Sequence, residues 1–265
     1  MNIGMITCNY FMRIYGYKEP ENFNWGDMSA KWRAEFKKED FLALAREIRD
    51  IGYDELEIWE PTFSHDVYTE DDAKTLAANL AAMGFKKLAY SIGGWTKNSV
   101  GSVDKAYKFA KALGSDIVAG CIIKDDADVI LPVIEEAGKK YGLKYAIENH
   151  PSPNLSSPAD VAEAMKPYTT IGANLDTGIY NQQGYDVLDA YRLLKGKVYH
   201  THFKDTVKGA EACLPIGDGD APLAELVKLF AADGFEYMLS VEFEYPEDPA
   251  PGLIKSIKYI KELLG

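Results

Sequence analysis

The chain has 265 residues, 47% hydrophobic and 26% charged, with 41 acidic against 29 basic side chains and a formal net charge of −12. That length suits one barrel-sized domain of about 250 residues, and the composition is that of an ordinary globular chain. The acidic balance repels phosphate backbones and anionic headgroups, which argues against nucleic-acid and membrane partners.

The chain opens Met1-Asn2-Ile3-Gly4, with no basic segment ahead of an apolar run, and no stretch reads as a bilayer span. Cys8, Cys121 and Cys213 are widely spaced and match no disulfide framework or zinc ribbon. Reduced thiols and a cytoplasmic location are the expectation.

A first strand is expected at Ile3–Asn9. The stretch 11–37, carrying Tyr15, Tyr17, Trp25 and Trp32, is long for a connection. It reads as a lid or pocket wall, with an aromatic-packed surface insertion as the equal alternative. After Asp40, an N-cap candidate, Phe41, Leu44, Ala45, Ile48 and Ile51 share one helix face. A second strand at Glu55–Glu60 precedes a helix through 75–82, rich in good helix formers. Further strands are expected at Lys87–Ile92, Ile117–Ile123, Lys144–Asn149, Gly172–Asp176, Val198–Lys204 and Met238–Glu244. Residues 221–232 and 252–264 supply the seventh and eighth helices. Gly52, Gly84, Gly114, Gly142, Gly196 and Gly234 each stand where a helix should stop. Most intervals between them are about thirty residues, one βα unit. The interval from Gly142 to Gly196 holds two units, so one stop there is made differently.

Strands alternating with helices leave a closed barrel or an open doubly wound sheet. The absence of Gly-x-Gly-x-x-Gly after the first strand weakens the dinucleotide-binding form of the latter. The fold expected is therefore α/β, a single-domain (β/α)₈ TIM barrel over residues 1–265.

In such a barrel the reactive groups stand at the C-terminal strand ends. Four successive strands end in Glu148, Asp176, His202 and Glu242. Singly, each has a plain explanation: a lysine partner for Glu148, a turn cap for Asp176, a satisfied core histidine for His202, a rim charge for Glu242. Together at four strand ends, three carboxylates would repel one another unless a cation joined them. Three oxygen donors and one nitrogen suit one divalent ion, Mn²⁺, Mg²⁺, Co²⁺ or Zn²⁺. Strand parity puts His200 and Lys204 on the face of His202, and His150 on the face of Glu148. His150 and Lys204 are therefore candidates to meet polar groups of a substrate. His200 reads as a deeper barrel-layer residue, and Asp205 as a brace for the following loop. Trp59 and Glu60 end the second strand and Trp95 follows the third; they are candidates to contact a substrate, the aromatics as an apolar wall, with rim packing the equal alternative.

The segments Ile147-Glu148-Asn149-His150, Leu175-Asp176-Thr177-Gly178, His202-Phe203-Lys204-Asp205, Pro215-Ile216-Gly217-Asp218-Gly219-Asp220 and Val241-Glu242 occur in an order and spacing that resembles the xylose isomerase-like barrel superfamily. The likeness is to its sugar phosphate isomerase/epimerase family, which includes D-tagatose 3-epimerase, inosose-handling enzymes and, more distantly, endonuclease IV. The resemblance implies that Glu148, Asp176, His202 and Glu242 are metal ligands. It also implies that Glu148 and Glu242 act as catalytic acid and base on opposite faces of a sugar. The implied reaction removes a proton beside a carbonyl and passes through an enediolate. Many family members are dimers or tetramers, which is compatible with a homo-oligomer.

The chain departs from the epimerase pattern in two places. Ile179 stands where a histidine would follow the strand-six aspartate, and Lys208 is the nearest basic residue to a missing arginine. The glycine-rich turn 217–220 carries two aspartates that oppose a phosphate. An unphosphorylated polyol or keto-sugar is therefore the expected substrate. The leading reading is a metal-dependent sugar or cyclitol isomerase or epimerase. The alternatives are a dehydratase on the same site, an endonuclease IV-like hydrolase, which the charge and only four histidines oppose, and a non-catalytic metabolite-binding barrel.

Overall fold

The computed structural model describes all 265 residues. The apolar runs become β1 (Asn2–Ile6), β2 (Glu55–Trp59), β3 (Lys87–Trp95), β4 (Ile117–Ile122), β5 (Lys144–Glu148), β6 (Ile171–Asp176), β7 (Val198–Phe203) and, after a two-stranded hairpin of β8 (Asp205–Thr206) and β9 (Cys213–Leu214), β10 (Met238–Val241). The eight long strands are parallel and close in the order β1-β10-β7-β6-β5-β4-β3-β2. Outside them lie α1 (Trp25–Glu35), α2 (Lys38–Ile51), α3 (Glu70–Ala82), α4 (Val100–Ala112), α5 (Ala127–Tyr141), α6 (Pro158–Met165), α7 (Thr177–Gln182), α8 (Val187–Leu194), α9 (Leu223–Asp233) and α10 (Ala250–Leu264). This is the expected (β/α)₈ barrel with two additional helices. No helix is long and apolar enough to cross a membrane.

Gly52, Gly84, Gly114, Gly142, Gly196 and Gly234 all have positive φ, as a left-handed helix stop requires. The stop made differently is that of α6, which ends at Lys166 before Pro167. Asp40 is not the cap of α2. The helix starts at Lys38, and Asp40 reaches back one turn to accept from the Lys37 N–H at 3.0 Å. The stretch 11–37 is not structureless. A 3₁₀ segment runs on from Thr7 to Tyr15, and α1 lays the fully buried Trp32 against the barrel, its indole N–H donating to the Phe11 carbonyl at 2.9 Å.

Period-two alternation divides the barrel into two very different faces. Outward residues such as Met5, Leu56, Ile58, Val118, Ile122, Ile147, Leu175, Phe203 and Val241 are buried against the helices and form the main core. Apart from Ile6 near the mouth and a cluster of Ile117 and Tyr199 at the other end, inward residues are mostly small or polar: Gly4, Ala89, Ala119 and Ala146 beside Glu57, Asn174, His200 and Ser240, all buried. A barrel interior of this kind is not the usual stack of branched aliphatic layers. Most of the apolar driving force therefore acts between strands and helices, and the barrel axis is left free to carry charge.

One helix-to-strand clamp sets the start of β6. Glu135 of α5 accepts from the N–H and hydroxyl of Thr169 (2.9 and 2.7 Å) and of Thr170 (2.9 and 2.6 Å). Burial opposes ionisation, but these donors outweigh it and hold the carboxyl well below its ordinary value of 4.5. A group whose folded-state pKa is depressed stabilises the fold above its unfolded value and loses that contribution as pH falls. Glu135→Gln is therefore expected to cost about 1–3 kcal/mol at pH 7. The gap to wild type should begin to narrow below about pH 4.5 and go on narrowing as pH falls towards the depressed folded-state value, read by urea titration. Equal stability of the two proteins at pH 7 would disprove the clamp.

Candidate metal centre

At the C-terminal mouth the strands diverge, and side chains take over the ladder. Asn149, just past β5, accepts from the Asp176 N–H at 2.9 Å and donates to the Asp176 carbonyl at 3.0 Å. Thr177 does the same between β6 and β7, bonding the Lys204 N–H at 2.9 Å and the Lys204 carbonyl at 2.7 Å. Asn9, which the sequence suggested lay within the first strand, lies in the 3₁₀ segment and joins β1 to the end of β10. It donates to the Val241 carbonyl at 2.9 Å and accepts from the Phe243 N–H at 2.7 Å. These bonds fix the backbone on either side of Asp176, Lys204 and Glu242.

The four expected ligands do converge. Glu148, Asp176, His202 and Glu242 each bring one donor atom within 4.8 Å of all the others, and all four are buried. Nδ1 of His202 lies 3.3 Å from Glu148 Oε1, 3.1 Å from Glu242 Oε2 and 3.9 Å from Asp176 Oδ2. Asp176 Oδ1 caps α7 by accepting from the Ile179 N–H at 2.8 Å, whereas its Oδ2 has no hydrogen-bond partner. Glu242 Oε2 is likewise without a partner of hydrogen-bond geometry. Both oxygens face the His202 nitrogen and have only ion-pair contacts, to Lys204 and His202, so three carboxylates and an imidazole converge on one point and the residues present fit a divalent ion.

Lys204 is the one cation other than His202 in this cluster. Its Nζ lies 3.0 Å from Glu242, 3.0 Å from Glu244 and 3.4 Å from Asp176. Gly178 makes room for it, because a Cβ there would collide with the lysine stem. Burial disfavours the ammonium, but the three carboxylates outweigh that and raise its pKa well above the ordinary value. Burial would also raise Glu242, yet His202 and Lys204 hold it well below the carboxylate range. Asp176 goes the other way: burial, only partly offset by Lys204, pushes it up to about 7.

The cavity above the cluster measures about 470 Å³ and is lined by Trp25, Ser29, Trp59, Glu148, His150, Asn154, His202, Glu242 and Glu244, among others. No lysine or arginine lines it. Trp25 stacks on Phe11 with centroids 5.0 Å apart and meets Trp59 edge-on at 6.5 Å. The segment 11–37 thus contributes a wall to the cavity.

Three expected substrate contacts are placed elsewhere. Glu60 lies past β2 in a short 3₁₀ turn and is taken by Arg33 of α1, at 2.5 Å from Nη2, and by the Ser64 hydroxyl. Trp95 does not face the cavity. A bulge in β3 between Ser91 and Gly94 breaks the period-two pattern, and the indole stacks on Tyr145 and Tyr107 at 5.3 and 6.0 Å. Lys204 reaches carboxylates rather than open space. Asp205 does brace its loop: Oδ2 accepts from Gly217 and Gly219 N–H at 2.7 and 3.0 Å. Two N–H groups of the glycine-rich turn are therefore occupied by the chain's own carboxylate.

One buried residue was not singled out from the sequence. Glu57, in mid-β2, is fully buried and bonds Nε2 of both His200 (2.8 Å) and His202 (3.1 Å). The alternation Glu55-Leu56-Glu57-Ile58-Trp59 carries the signal, since it places both glutamates on the face of Trp59.

Residues 45–263 match the family model described as the xylose isomerase-like TIM barrel. Solved structures agree on the fold at low identity. A probable 3-DHS dehydratase involved in petrobactin synthesis from Bacillus anthracis is 13% identical, with 98% of this chain and 99% of that chain covered and a TM-score of 0.72. A D-tagatose 3-epimerase-like protein is 17% identical, covering 100% and 97%, with a TM-score of 0.71. D-Allulose 3-epimerase from Methylomonas sp., solved in complex with D-allulose, is 12% identical, covering 99% and 96%, with a TM-score of 0.70. No curated protein matches by sequence.

Proposed function

The chain belongs to the xylose isomerase-like TIM-barrel family, and from that premise we propose that it is a divalent-metal-dependent isomerase or epimerase of an unphosphorylated sugar or cyclitol. The observation that carries the reading is the convergence of Glu148, Asp176, His202 and Glu242, three carboxylates and an imidazole held together beneath the cavity. A divalent cation held by these four would supply Lewis-acid polarisation of a carbonyl and its neighbouring hydroxyl.

The protein's own groups do the proton work. Glu148 and Glu242 come from β5 and from the end of β10, strands separated by β6 and β7, so they reach the cavity from different directions. Glu242 is held anionic by His202 and Lys204, which suits it to remove a proton from the carbon beside the carbonyl. Glu148 returns a proton at the other face, giving the epimer, or at the neighbouring carbon, giving the isomer. Trp25 and Trp59 offer an apolar surface to a sugar ring, and His150 a polar contact to its hydroxyls. The lining favours an uncharged ligand. Without a lysine or arginine, and with Glu148, Glu242 and Glu244 in place, a phosphate would be repelled.

Incubation with Mn²⁺ and a panel of keto-sugars and cyclitols in D₂O tests the proposal. One deuterium should enter the carbon beside the carbonyl, with no loss of water, and a new isomer or epimer should accumulate. Loss of water with a new enone absorption would replace this reading by a dehydratase on the same residues. Absence of any exchange across the panel, in protein holding one metal ion per chain, would remove sugar isomerisation.

A further inference from the structure

Glu57 is buried inside the barrel, one layer below His202, and does not line the cavity. Its carboxylate is fully engaged. Oε2 accepts from His200 Nε2 at 2.8 Å and from the Ser240 hydroxyl at 2.5 Å, and Oε1 meets His202 Nε2 at 3.1 Å. An ionised carboxylate only accepts hydrogen bonds, so Nε2 of His202 must carry hydrogen. In a neutral imidazole the lone pair is then on Nδ1, the atom that faces Glu148, Asp176 and Glu242. His200 and Ser240 in turn leave the Glu57 carboxylate no freedom to rotate.

Resting on the metal reading above, we propose that Glu57 is the positioning residue of the centre: it sets the tautomer and ring orientation of His202 so that Nδ1 is presented to the ion. A ligand histidine whose second nitrogen is bonded to a carboxylate is more basic and better oriented than a free one. The barrel axis supplies the place for that carboxylate: its register partner on β3 is the small Ala89, which leaves room for charge where an aliphatic side chain would exclude it. Ser240 and His200 hold the carboxylate, the carboxylate holds His202, and His202 faces the ion.

Metal-stripped protein titrated with Co²⁺, followed by calorimetry and by visible absorption of the bound ion, tests the chain of contacts. Glu57→Gln keeps the shape but replaces one acceptor oxygen by a donor facing His200 or His202. It is expected to weaken Co²⁺ binding about 10–100-fold and to shift the visible bands, since the ring angle at the ion changes. A folded Glu57→Gln protein that binds Co²⁺ as wild type does, with the same spectrum, overturns the proposal. Should that variant not fold, Ser240→Ala carries the test: it removes one anchor of Glu57, and binding should weaken severalfold, with unchanged binding overturning the proposal. A wild-type protein that takes up no Co²⁺ overturns the metal reading itself, and this inference falls with it. Wild-type uptake of one ion with an unaffected Glu57→Gln overturns this inference alone.

Discussion

Glu148→Gln and Glu242→Gln are each expected to lower turnover by about 10²–10⁴-fold, the range a positioned acid or base contributes, with the fold intact. Both substitutions keep side-chain volume, and neither carboxylate supports a strand backbone; that task belongs to Asn149, Thr177 and Asn9. Each removes one charge from the candidate metal site, so the comparison belongs at saturating Mn²⁺. The sharper expectation is an asymmetry. If the two glutamates serve opposite faces, Glu148→Gln leaves Glu242 able to remove and return a proton on its own face. One epimer should then still wash in deuterium from solvent while conversion to the other is lost. Glu242→Gln should show the mirror result, with exchange surviving only in the other epimer. Mass spectrometry of recovered substrate reads both. Exchange lost from both epimers in one variant would mean that a single base serves both faces. Turnover above a tenth of wild type in both variants, at saturating metal, would remove the pair from the chemistry.

The convergence of the four candidate ligands was legible from sequence because a buried charge at a strand end is conspicuous. Glu148, Asp176, His202 and Glu242 each close an apolar run, and chain order alone puts them on four neighbouring strands or their immediate ends. The barrel was legible for a related reason: six glycines with positive φ mark helix ends, most of them about one βα unit apart. What was not legible depends on contacts made across the chain. Trp95 leaves the cavity because a bulge, which no periodicity announces, turns it over. Glu60 is claimed by Arg33, twenty-seven residues earlier, on a helix within a stretch that carries little helical patterning. Glu57 is a mid-strand residue, and searching strand ends alone passes it by. The clamps from Asn9, Asn149 and Thr177 follow the same rule. A single amide or hydroxyl beside a strand end looks like a turn residue until the neighbouring strand is in place.

Lys204→Met is expected to make the fold depend on metal. In the metal-free protein, Glu148, Asp176, Glu242 and Glu244 crowd together, and the cations among them are Lys204 and His202. The ammonium is 3% exposed, so its attraction to Asp176, Glu242 and Glu244 is little screened. Methionine has a similar reach, and its thioether fills the path that Gly178 leaves open. It cannot offset the carboxylates. Removing one partner of a buried ionic group costs about 3–5 kcal/mol, and the metal-free variant should lose that much in urea unfolding with chelator present. Proton uptake by Asp176, already raised to about 7, would relieve part of the strain, so the loss should grow with pH above 7. A divalent ion neutralises the same oxygens that Lys204 reaches. Saturating Mn²⁺ should therefore stabilise the variant more than it stabilises wild type, by an amount approaching the loss seen without metal. The two measurements together separate electrostatics from packing. A destabilisation that metal does not repair would assign Lys204 to packing. A metal-free variant as stable as wild type would mean that the carboxylates take up protons freely and that no counter-charge is needed to keep them together.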